Sequence, residues 1–180
     1  MTTFDIATPQ DFWDYVVVPD YDDSVTNVDD LRKAFHCAIS LFHMADWIYI
    51  THQTTIHATF YFNSRKLLGS NVPMLVTRVS EFADSISDAH PNFELIRRIA
   101  NSVKHLSLTG QSPHTNAPSN ASNTSVQTTG YGVGGFGQGR YGGTPRVVLA
   151  NHAGQPPIEF KDLATSVFNN WMNLKALHHW

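Results

Sequence analysis

The stretch "IRRIANSVKHL", residues 96 to 106, concentrates chemistry-bearing side chains on one short segment. An α-helix turns by about 100° per residue. On that geometry Leu95, Ile96, Ile99, Val103 and Leu106 share one face, while Arg97, Arg98, Asn101, Lys104 and His105 lie on the other. Arg98 and His105 are nearly eclipsed with Asn101 between them, and Lys104 stacks one turn beyond Asn101. Such a line suits metal-free phosphodiester cleavage of RNA. A histidine neutral near pH 7 takes a proton from the 2′-hydroxyl or gives one to the leaving oxygen. A guanidinium holds the phosphate and the charge of the transition state. Asparagine orients the imidazole or holds a phosphate oxygen. The absence of acidic residues from Ile96 to Leu106 favours this reading over a solvated bundle face.

A second polar pair lies in "FHMADWIY", where His43 and Asp46 are one helical turn apart. Asp46 falls at the rim of an apolar stripe, where a carboxylate needs a partner. The expectation is an ion pair from Asp46 to Lys104 or His105; bonded to His105, it would raise that histidine's pKa and fix its ring. An exposed Asp46 with His43 as filler is the bland alternative.

The elements that must position these groups read as follows. "DFWDY" suggests a short helical turn and "PDYDDSVTNVDD" an acidic loop, with Asn27 or Asp29 capping the next helix. From about Asp29 to His52, Leu31, Phe35, Ala38, Phe42, Ala45 and Tyr49 form one stripe. "TTIHATFYFNSRKLLG" is ambiguous between extended and helical, and Gly69 closes it. "VPMLVTRVSEFADSISDA" reads as helix; "HPN" breaks it, and Pro91 starts another that runs to about Leu106. Residues 111–143 hold eight of the eleven glycines and read as a flexible loop. "PRVVLAN", "HAGQP" and "PIEF" then form strand, turn and strand. A last helix from about Lys161 carries Leu163, Val167, Trp171 and Leu174 at helical spacing. The expectation is a mainly α fold: one domain over residues 1–180, a bundle of four or more helices with a β-hairpin inserted before the C-terminal helix.

The spacing Arg98–x6–His105 on a late helix of a small α-bundle resembles the Arg-x4–6-His signature of HEPN domains, bundles found in bacterial toxins, defence systems and RNA-processing enzymes. The resemblance implies a homodimer with facing motifs, acting as a metal-independent endoribonuclease of toxin or defence type without a cofactor. His105 would be the general acid/base, Arg98 the phosphate ligand and Asn101 a helper, with Asp46, His43 and Lys104 supporting. RNA and an antitoxin-like protein would be the partners. The sequence departs from the pattern in two ways: Ile99 follows the arginine where a polar residue is usual, and six is the longest permitted gap. The likeness leaves the Gly-rich loop and the hairpin unexplained. The rival reading is a non-catalytic bundle that binds a protein partner or a nucleotide.

Other features narrow the field. A net charge of −3 speaks against a general duplex-DNA binder. The apolar runs are too short for a bilayer. The N-terminal residues lack a signal peptide's basic start and cleavage site, and a lone Cys37 suits a reducing compartment, so the expectation is cytoplasmic. Cys37 reads as a small core residue. "GVGGFG" has the letters of a dinucleotide fingerprint without the strand and helix that give it meaning. Tyr131, Phe136, Arg140 and Tyr141 could stack on RNA bases, but a hairpin connection fits the glycines better. His36 and His43 share a face at seven-residue spacing, too far apart for one ion, so no metal site is expected. Trp13, Trp47 and Trp171 read as core or interface, and His178 and His179 as exposed.

Overall fold

A computed structural model of the chain describes residues 5–64, 72–104, 120–128, 145–149 and 157–180. It is a mainly helical bundle with a small antiparallel sheet before the C-terminal helix, as the periodicity requires.

The chain enters through α1 (Pro9–Phe12), a π-helical segment (Trp13–Val17) and α2 (Val18–Thr26), which together make one continuous arm. Thr8 caps the arm reciprocally: its hydroxyl accepts from the Asp11 amide, and the Asp11 carboxylate accepts from the Thr8 amide. The π segment has a cause in the sequence. Pro19 has no N–H to donate and its ring crowds the carbonyl four residues back, so the ladder shifts to wider spacing just before it. The Val18 amide accordingly reaches back to the Trp13 carbonyl. The run "PDYDDSVT", expected as an acidic loop, is therefore helix. Asp22 and Asp23 face outward, Asp20 is half-buried and Ser24 is buried.

Helix α3 (Leu31–Thr59) is capped by Asp30, whose carboxylate accepts from the Arg32 and Lys33 amides, so the cap lies one residue beyond Asp29. It runs past the expected end at His52, where the backbone leaves helical geometry (φ −119°, ψ 27°) and kinks before continuing. Strands β1 (Tyr61–Ser64) and β2 (Val72–Leu75) follow as an antiparallel pair, Tyr61 opposite Leu75. "VPML" is thus strand, where a helix was expected. Helix α4 (Val79–Ala89) begins only where the Glu81 carboxylate takes the Thr77 amide and hydroxyl, both at 2.8 Å. After α5 (Pro91–Lys104) comes a 3-10 turn (Ala121–Asn123) that leads into β3 (Thr124–Thr128). Both lie inside the stretch expected to be a flexible loop. Strand β3 pairs with β4 (Pro145–Leu149), which pairs with β5 (Ile158–Glu159); the last two are the expected hairpin. Arg146 and Glu159 join across them in an ion pair. Helix α6 (Phe160–His178) ends the fold.

The core gathers Leu41, Met44 and Ile48 of α3, Phe82 of α4, Phe93, Ile96 and Ile99 of α5 and Leu163, Val167 and Trp171 of α6. The Trp171 indole is fully buried, donates to the Leu41 carbonyl at 2.9 Å and meets Phe93 edge-on. At the C-terminus His179 sits at φ 57° and turns the chain back, so Trp180 stacks on His178, His52 and Phe60. His178 is therefore half-buried, contrary to the expectation of an exposed tail.

Truncation of Trp171 to alanine removes both the packing and the hydrogen bond, and the expected loss is about 3–5 kcal/mol, read by urea unfolding. Burial lowers the pKa of His52, His90 and His178 from the ordinary 6.5. Each binds a proton more readily unfolded, so the stability they contribute is present above about pH 6.5 and lost as pH falls through the lowered values. The urea midpoint is expected to start dropping as pH falls below about 6.5, before the carboxylates titrate.

Candidate functional site

The basic stripe of α5 divides into two parts. The first is internal. Glu94, 7 % exposed, lies 3.7 Å from the Arg97 guanidinium and 4.0 Å from that of Arg98, and takes a hydrogen bond from Ser87 at 3.3 Å. Arg97 also binds Asp84 of α4. The Arg98 side chain retains 13 % of its exposure. The window without acids from Ile96 to Leu106 stops two residues short of Glu94, which is one turn behind Arg98 and neutralises it. The open guanidinium expected on the polar face is in fact largely enclosed, because a buried carboxylate needs a cation beside it.

The second part is the end of the helix. Asn101 is half-buried and Lys104 exposed. His105, the expected general acid/base, lies outside the described residues, so the Arg98–His105 pairing has no geometry here. Lys104 reaches across to α3, where its ammonium approaches the His43 Nε2 at 3.3 Å. The other ring nitrogen of His43, Nδ1, is 2.6 Å from the Asp46 carboxylate. Of the two partners expected for Asp46, Lys104 reaches His43 instead and His105 lies outside the described residues; Asp46 pairs with the histidine one turn before it, which makes the link to Lys104. Helical spacing of three residues puts His43 and Asp46 on one face, which outcompetes a partner on another helix. With an ammonium at Nε2 and a carboxylate at Nδ1, the ring proton belongs on Nδ1. The expected supporting groups Asp46, His43 and Lys104 are thus brought into one chain.

His43 also opens onto a cleft of about 280 Å³ between α3 and the N-terminal arm. One wall is Phe12, Val16 and Asp20, at four-residue steps along the arm. The other is His36, Ile39, Ser40, His43, Asp46 and Trp47 of α3. Phe12 stacks on Trp47 with centroids 5.1 Å apart and closes one end. Trp47 thus lines a cleft instead of filling the core, whereas Trp13 and Trp171 are buried as expected. Asp20 was not foreseen, because its segment read as loop. Burial pushes its carboxyl above the usual carboxylate range, and Asp23 adds to this; the Ser40 hydroxyl and the charge of His36 oppose it. Beneath the cleft, Cys37 is fully buried, and desolvation pushes its thiol up to about 12. Among the described residues, no three His, Cys, Asp or Glu side chains converge as a metal site. No described helix is long and apolar enough to cross a membrane.

No protein-family pattern, characterised protein or solved structure matches the chain.

Two predictions follow from this geometry. Cys37 is protonated and enclosed, so at pH 8 a thiol reagent is expected to leave the native protein unmodified and to react fully in urea; rapid native reaction would contradict the burial. Substitution Glu94→Gln leaves Arg98 without its carboxylate, while Arg97 keeps Asp84. The expected loss is about 3 kcal/mol, the lower end of the range for breaking a buried pair, and Arg98→Met made together with it recovers part of that loss in denaturant unfolding.

Proposed function

We propose that the protein is a metal-independent endoribonuclease of HEPN-like type, acting at the junction of α3 and the end of α5. The observation that carries this reading is the chain Asp46–His43–Lys104, 2.6 Å and 3.3 Å long at its two links. A carboxylate that holds one nitrogen of an imidazole and leaves the other for proton transfer is the arrangement general acid–base catalysis needs, with the Lys104 cation beside it to draw a phosphate.

In the proposed reaction a phosphodiester draws the Lys104 ammonium off Nε2 and onto a phosphate oxygen. The freed nitrogen takes the proton from the neighbouring 2′-hydroxyl, which attacks phosphorus while Asp46 steadies the resulting imidazolium. The 5′-oxygen leaves with a proton from an acid, the role assigned to His105, the residue after Lys104. A 2′,3′-cyclic phosphate and a 5′-hydroxyl end result. Arg98, enclosed beside Glu94, acts in this scheme as a positioning residue that fixes the end of α5, with Asn101 on the same side. The family likeness carries a homodimer, a cytoplasmic setting and an antitoxin-like partner with it.

The test is incubation of the full chain with single-stranded RNA in EDTA, beside His43→Ala, Lys104→Ala and His105→Ala forms checked for folding. The expected result is cleavage by the parent that leaves cyclic-phosphate ends and falls by about 10²-fold or more without His43. Asp46→Asn is expected to lower kcat far more than it changes KM. Intact RNA with the parent protein, or undiminished cleavage by His43→Ala, would return the chain to the rival reading of a non-catalytic bundle.

A further inference from the structure

The cleft beside His43 has the build of a small-ligand site: apolar surface from Phe12, Val16, Ile39 and Trp47 with a few polar groups set along it. Its capacity of about 280 Å³ lies at the small end for such sites, the scale of a single base with its sugar. Val16 of the arm and Ile39 of α3 line its two walls, apolar surface that suits a flat ring. At one end stands Asp20, with the buried Ser40 and with His36 beside it. Towards the other stand His43 and, reaching it from α5, Lys104. Ser40 and His43 are three residues apart on α3, about 4.5 Å along the axis, lengthened by the reach of the lysine.

A carboxylate offers two acceptor oxygens side by side and no donor. Guanine is the ordinary RNA base with two adjacent N–H donors on its pairing edge; adenine and cytosine each set an acceptor beside their amino group, and uracil flanks its single N–H with carbonyls. We propose that this cleft binds a guanine base, its N1–H and 2-amino group donating to Asp20 and its phosphate drawn to Lys104 and His43. Desolvation already disfavours the charged Asp20 carboxylate, so two donors from the ligand relieve a cost that the empty cleft imposes. The consequence for cleavage, a preference for the phosphodiester next to guanosine, rests on the ribonuclease reading. The binding itself does not.

The source of the guanine is separated by titrating the full chain calorimetrically with GMP, AMP, CMP and UMP, and with a dinucleotide that carries guanosine. The expected result is GMP binding roughly 10-fold or more tighter than AMP, consistent with one good bidentate contact. Tighter binding of the dinucleotide marks RNA as the source, and equal or weaker binding marks the free nucleotide. Asp20→Asn is expected to erase the preference, and Val16→Trp, which fills the cleft, to abolish binding of every nucleotide. Lys104→Ala is expected to weaken GMP and leave guanosine unchanged. Equal affinity for all four nucleotides, no binding at all, or an Asp20→Asn form that keeps the preference would overturn the proposal. Guanine binding without RNA cleavage would sink the ribonuclease reading alone, and cleavage with no guanine preference and no GMP binding would sink this one alone.

Discussion

The structure depends on how α3 is buried. Through its first five turns half of the circumference is covered: Ala34, Cys37, Ala38, Leu41, Met44, Ala45 and Ile48 have almost no exposure. Polar side chains cannot enter that half without partners. They collect on the remaining half, where Arg32, His36, His43 and Asp46 follow one another along a single line. The N-terminal arm packs against one edge of that line and encloses it only partly, so the cleft is the strip of α3 that the bundle leaves uncovered. Along the opposite wall the helical arm sets Phe12, Val16 and Asp20 at four-residue steps.

A second constraint, on α5, decides which of the basic residues are free to act. Glu94 is buried at the helix start and must be neutralised. Arg97 and Arg98 do this from one turn away, and Asp84 holds Arg97 from α4. A guanidinium engaged in this way is costly to move. Lys104, ten residues beyond Glu94, is exposed, and its ammonium contact among the described residues is a long one, so it can exchange a nitrogen for a phosphate oxygen at little cost. A stripe that looks uniform in sequence is thus a structural pair at one end and a mobile cation at the other.

Much of this was legible in the sequence. Periodicity located α3, α5 and α6, the turn in "HAGQP" located the β4–β5 hairpin, and Cys37 was read as core because a lone cysteine on an apolar face packs as a small hydrophobe. The errors have physical causes. Phe35 and Phe42 drew the apolar stripe towards their own side, about 90° from the true centre of burial. Small residues such as Ala34 and Cys37 carry little hydrophobic weight but lie where neighbouring helices come closest. "PDYDDSVT" looked like a loop because acids and proline depress helix propensity, yet proline in a first turn costs little. "VPML" joined α4 on pattern alone, since four apolar residues do not distinguish a strand from a helix; the cap at Thr77 and Glu81 decides it. The pairing of Asp46 with His43 is an i, i+3 neighbour contact that needs no chain closure.

His43 has two neighbours that matter: it is a wall residue of the cleft, and it receives Lys104 from the end of α5. Within the proposed reaction this gives the resting state a definite character. While Lys104 occupies the Nε2 lone pair, the imidazole has no acceptor to offer a hydroxyl, and the site is closed to proton abstraction. An anion that binds the ammonium frees that lone pair in the same step. A phosphate oxygen does this better than water, because an ionised acceptor binds the ammonium more strongly than a neutral one. Phosphate binding and unmasking of the base would then be one event, with the imidazole already held by Asp46 in the tautomer it needs.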